Sequence, residues 1–149
     1  MGNLFTVYNL EAAINTAATS SPETFSPLLD GFDNVAEALN EVVQQYFFLS
    51  GKGFAQNHVT GMAPAWTLTG RRVVGDAAQD FIFSKKYKLD KDRQTTFQLK
   101  YTNGAGKAVT LTCPCTLCNI QEFSGTSTDD SAVSVEIRFD GAPDEKVAE

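Results

Sequence analysis

Three runs in the second half of the chain alternate apolar and polar residues so regularly that they dictate its secondary structure. In residues 94–102, Phe97, Leu99 and Tyr101 alternate with Thr96, Gln98 and Lys100. In 107–123, Val109, Leu111, Cys113 and Cys115 fall on one side, and near the C-terminus Val133, Val135, Ile137 and Phe139 alternate with Ser134, Glu136 and Arg138. A period of two places one face of a strand on a core and the other in water. The intervening segments, "TNGAGK" with Asn103-Gly104 and "SGTSTDD", carry turn chemistry. Consecutive strands joined by short turns predict an antiparallel meander. A single domain of 149 residues, 42% of them hydrophobic and eleven of them phenylalanine, is large enough to bury a core beneath such a sheet.

The stretch "TLTGRRVVGDAAQDFIF", residues 67–83, interrupts this β pattern. Residues 65–74 read as a strand, Gly75 breaks it, and Asp76 caps a short helix over about 76–83. Ala78, Phe81 and Ile82 share one face of that helix, which would close the open end of a sheet core. Arg71 and Arg72, near Asp76 and Asp80, suit salt bridges that hold the helix to the strand end better than they suit a phosphate site. Residues 34–50, "NVAEALNEVVQQYFFLS", read as a long strand firmest over 41–49. A helix over 35–46 competes, because Asn34 and Glu37 resemble a capping box. The glycine-rich stretch 50–64 reads as a long loop or flexible hairpin. Residues 1–30 read as an extended arm or surface segment, and 140–149 as a polar tail. The expectation is a mainly β domain, an antiparallel β-sandwich or roll with one short flanking helix.

The net charge of −6 argues against a protein that must neutralise nucleic-acid phosphates. The charges are segregated. Residues 1–51 hold six acids and no Lys or Arg, whereas 85–100 hold six bases against Asp90 and Asp92. Such a division is either an ordinary solvated surface or a means for one copy to meet another. No apolar run reaches the ~20 residues that span a bilayer. No signal peptide is expected at the N-terminus. "MGNLFT" fits a myristoylation pattern, but that pattern is short and common.

The cysteines in "CPCTLC", Cys113, Cys115 and Cys118, have a spacing that can bind zinc or an iron–sulfur cluster. They lack a fourth cysteine, the lone His58 sits in the 50–64 stretch, and a regular strand turns Cys118 away from the other two. Packing as reduced, small apolar residues is the better reading. "GKGF" and "NGAGK" lack the spacing of a phosphate-binding loop, and His58 has no nucleophile beside it. No catalytic residue, cofactor or metal is expected.

The order "VTG … TLTGRRVVGDAAQDFIF … KKYKL … TTFQLKYTNG" resembles the major tail proteins of long-tailed bacteriophages, from about Val35 to Asp140 and most specifically over Val59–Leu89. The resemblance implies a β-sandwich with a flanking helix that stacks as hexameric rings around a lumen conducting DNA. It further implies a virion tail location after synthesis in the bacterial cytoplasm, with the tape-measure protein and tail terminator as possible partners. The tube subunit of a contractile tail or phage-like secretion particle shares that architecture, and a monomeric β-sandwich binding module is the rival from another class. Contacts between copies are expected at Phe54, His58, Val59 and Met62, and at Lys85, Lys86 and Lys88.

Overall fold

The computed structural model describes residues 2, 4–17 and 22–148. Its strands are β1 (Glu11–Asn15), β2 (Phe25–Pro27), β3 (Phe32–Ala38), β4 (Val42–Tyr46), β5 (Gln56–Gly61), β6 (Ala65–Arg71), β7 (Gln94–Thr102), β8 (Ala108–Gln121), β9 (Ala132–Phe139) and β10 (Asp144–Val147). One α-helix, α1 (Ala77–Ser84), lies between β6 and β7. Seven strands follow one another in the order β2-β1-β7-β8-β9-β6-β3, β10 pairs with β8, and β4 and β5 form a separate two-stranded ladder. All pairings are antiparallel.

The large sheet is rolled. Trp66 on β6 lies 6.1 Å from Phe97 on β7, ring centre to ring centre. Those strands are three positions apart in the sheet, about 14 Å if it were flat, so it must curl to bring the rings together. The alternating side chains fill the interior: Phe97, Val135 and Ile137 are fully buried, with Leu99, Leu117 and Val133 around them. The helix adds Ala78, Ile82 and Phe83 to this core.

The segment between β6 and α1 is a structural joint. Asp76 is the helix N-cap, its carboxylate accepting from the Gln79 backbone N–H at 3.1 Å. The fully buried Gln79 amide donates to the carbonyls of Asp30 (3.1 Å) and Arg71 (2.9 Å). Its oxygen accepts from the Val73 backbone N–H (2.7 Å) and the Arg72 guanidinium (3.3 Å). Arg72 pairs with Asp80 and with Glu122, each at 2.9 Å, and Lys86 reaches the other Glu122 oxygen at 2.6 Å. Arg72 is thus committed to holding the helix, as expected, although Asp76 serves as a cap and not as its ion partner. Arg71 donates to the Asp130 carbonyl. Beside this joint the backbones of β6 and the turn before β3 nearly touch: a Cβ on Gly70 would lie 1.9 Å from the Gly31 carbonyl oxygen.

Four expectations change. Residues 11–15 and 25–27 are strands of the sheet, with Ile14 fully buried, so most of the described N-terminal segment is fold and not a loose arm; residues 18–21 lie outside the described residues. Within 34–50, residues 34–38 and 42–46 are strand and none is α-helix; the strand breaks at 39–41 and ends at Tyr46, short of the expected residue 49, before a 3-10 turn at Leu49–Gly51. Of the two readings of 50–64, the long loop gives way to the hairpin: the stretch is turn plus strand β5, paired back onto β4. The polar tail contributes β10, whose backbone groups pair with β8 over Val109–Thr112 whatever its side chains.

Gln79→Leu leaves two carbonyls and one N–H in the joint without their amide partner, and should lower the unfolding free energy by about 3 kcal/mol or more. Chemical denaturation measures it. Burial alone would push the Glu122 carboxyl up, but hydrogen bonds from Lys86 and Arg72 outweigh this and hold it below the ordinary carboxylate range. The resulting stabilisation is complete above an unfolded value of about 4.3 and is lost as pH falls through the lower folded value. The stability gap between wild type and Glu122→Gln should therefore narrow below about pH 4.

Candidate assembly interface

The β4–β5 hairpin stands apart from the rolled core. It continues the β3–β6 pair, whose last partners are Ala38 and Ala65, across an interruption at 39–41 and 62–64. Two hydrogen bonds stitch that interruption: the Ala63 N–H donates to the Leu39 carbonyl (2.9 Å), and the Asn40 side chain donates to the Ala63 carbonyl (2.9 Å). Asn40 holds a left-handed backbone with φ of 49°, a conformation asparagine tolerates better than most residues. The twisted joint lets the hairpin leave the sheet without breaking the ribbon.

Both faces of the hairpin are exposed. On one, Tyr46 stacks on Phe48 with ring centres 5.5 Å apart and meets His58 at 5.7 Å across the ladder. On the other, Val43 stands opposite Val59, and the Gln45 amide donates to Asn57 at 3.2 Å. Nine large apolar side chains between Val42 and Met62 are exposed, with Leu49 at 98% and Phe54 at 80%. Between Val42 and Met62, Lys52 is the only Lys, Arg, Asp or Glu. It sits in the tip turn, with φ of 51° beside Gly53 at 95°. Contiguous apolar surface on this scale marks a binding face. A two-stranded hairpin wet on both sides is at best marginally stable by itself, so a partner would supply the missing burial.

The expected contact residues fall into two groups. Phe54, His58, Val59 and Met62 all lie on β5 or its flanks and are exposed, but His58 and Val59 point to opposite faces of the ladder. Lys85, Lys86 and Lys88 lie beyond the end of α1, in a separate part of the fold. Lys86 is spent within the subunit on Glu122, Lys85 lies over the Phe81 ring at 5.2 Å, and Lys88 is exposed. Sequence reading missed Val42, Val43, Tyr46, Phe47, Phe48 and Leu49 as surface residues. Their signal was the lack of charge in an apolar run, which core strands share.

Cys113 and Cys115 face the interior, as the alternation requires, and Cys118 is half-buried. Burial pushes all three thiols up, so they are uncharged at neutral pH. Among the described residues, no three His, Cys, Asp or Glu side chains cluster as a metal site. No helix among the described residues is long and apolar enough to cross a membrane.

Neither a protein-family description nor a curated protein matches this sequence. Solved structures do. A chain of the tail of an empty GTA particle, solved with C6 symmetry, superimposes with a TM-score of 0.71 and 13% identity, over 95% of this chain and 98% of that one. A chain of the SPP1 tail tube gives 0.70 and 14%, over 97% and 80%. A chain of the sheath-tube complex of PVC, an extracellular contractile injection system, gives 0.58 and 14%, over 97% and 93%. The likeness runs through almost the whole chain, and the fold is the phage tail-tube fold.

If the hairpin is an interface, its amides should exchange quickly in the free subunit and become protected on self-association. Hydrogen exchange read over residues 42–61 in both states checks this; equal rates would remove the hairpin from the contact.

Proposed function

We propose that this chain is the repeating subunit of a tail tube, stacking as hexameric rings around a lumen that conducts DNA from a phage or phage-like particle. The observation that carries the reading is the hairpin: a nearly uncharged ribbon, apolar on both faces, projecting from a tail-tube fold. A free monomer gains nothing from such a surface, whereas a repeating contact buries it in every copy. The hairpin and the rest of the subunit are unlike surfaces, so a contact between them is head-to-tail and either closes into a ring or extends as a filament. The outer edge of β3, at the end of the strand order, offers a further ladder for a neighbour.

Six-fold rings are supported by the C6 symmetry of the GTA tail, whose chain this one matches over nearly its full length. The net charge of −6 suits a conduit, because like charge keeps DNA from adhering to the wall. Lys85 and Lys88, free of carboxylate partners among the described residues, are offered to the acidic surface of a neighbour. On this reading the protein is structural and not an enzyme. It resides in the virion tail after synthesis in the host cytoplasm, and it meets the tape-measure protein and tail terminator at the tube's interior and end. A contractile particle is the second reading, supported by the PVC likeness, which is weaker than those to the GTA and SPP1 chains.

Negative-stain microscopy of concentrated protein should show rings or rods. Replacing residues 43–60 by an Asn-Gly turn should leave a folded monomer that forms neither. A wild type that stays monomeric at every concentration, as a binding module would, overturns the tube reading.

A further inference from the structure

The root of the hairpin opens onto an apolar groove of about 570 Å³. Leu39, Met62 and Pro64, from the interrupted joint, line it together with Trp66, Tyr101 and Phe139 from the rolled sheet. One charged side chain lines it, that of Glu37 on β3, whose register partner is Trp66. The far end of the same hairpin is the converse shape. Leu49 and Phe54 project there almost fully exposed, around the one charge of the ribbon, Lys52.

We propose that the hairpin tip of one copy seats in the root groove of the next, with Leu49 and Phe54 entering the apolar cleft and Lys52 meeting Glu37. The inference rests on the tube reading and deepens it by naming the receptor surface. Complementarity selects the occupant: a single positive charge within an apolar tip faces a single negative charge within an apolar cleft. The tip cannot fill its own groove, since β4 alone holds it about 17 Å from the root. Tip and root are also opposite ends of one element. A tip-to-root contact therefore leaves each bound copy with one free tip and one free groove, and the same contact can repeat without limit. Burying Leu49 and Phe54 provides the attraction, and the ion pair sets orientation and rejects mismatched approaches.

A charge swap tests the pairing, with elongation followed by light scattering and folding by Trp66 emission. Lys52→Glu and Glu37→Lys should each slow elongation about tenfold, and the two together should restore it to within about twofold of wild type. Single variants without effect, or a double variant as slow as the product of the singles, overturn the docking. Should Glu37→Lys fail to fold, the neutral pair Glu37→Gln and Lys52→Gln serves instead. Combining those two should then slow assembly no more than either alone, and an additive loss overturns the proposal. A photo-crosslinking phenylalanine at position 54 locates the contact directly. Cross-links to the 62–66 or 101–104 peptides of another copy are expected; capture only by another hairpin, by residues 4–10, or by nothing overturns it. Wild type is carried through every arm. If it polymerises and the swap or cross-link fails, only the docking falls, whereas a wild type that never polymerises removes the tube reading and the docking with it.

Discussion

A single buried amide fixes the geometry of the subunit. Gln79 makes four side-chain hydrogen bonds, the full capacity of its amide. Those bonds tie the helix to the last residues of β6 and to the turn that begins β3. Gly31 and Gly70 let the two backbones close against each other at that point, where any side chain would hold them apart. The β3–β6 pair is therefore gripped at one end by the joint and the core, and runs at its other end into the hairpin. A ribbon anchored in this way has a defined direction, which the proposed contact between copies would require.

The strands of the core were readable in the sequence because one face of each is dry. Alternation identified β7, β8 and β9, and the Gly75-Asp76 break placed the helix within a residue. The joint was readable in outline from its arginines and acids. Its centre was not, because a lone glutamine in a helix carries no signal that it is buried; only the arrival of Asp30 and Arg71 from other segments makes it so. The hairpin was the hardest element. Its strands are wet on both sides, so neither alternation nor a helical period constrains them, and its glycines mimic a loop. The C-terminal strand failed for a related reason: its backbone pairs with β8 while Asp144, Glu145 and Lys146 stay polar. A charge-rich segment can be an edge strand without any hydrophobic pattern.

Charge segregation along the chain looked like a device for joining copies, and part of it is spent within the subunit. Lys86 is taken up by Glu122, and Glu11 on β1 stands opposite Lys100 on β7 in register, with no ion pair between those two side chains. Strand pairing across the sheet brings sequence blocks of opposite sign together. Much of the exposed apolar surface lies on the β4–β5 hairpin, which contributes nothing to the core. Folding and association thus draw on different residues, so a substitution that weakens one need not weaken the other.

The pairing of β1 with β7 has a consequence for the order in which the chain acquires structure. Ile14 lies opposite Phe97 and Glu11 opposite Lys100 in register, so β1 waits for a partner more than eighty residues downstream. The hairpin, by contrast, closes on itself within some twenty residues and can form while the rest is still being made. Each nascent chain therefore displays an exposed apolar ribbon before it has a finished body, and on a crowded messenger several such ribbons are present at once. Rapid completion of the slow, long-range sheet limits the time in which unfinished chains can clump through that ribbon.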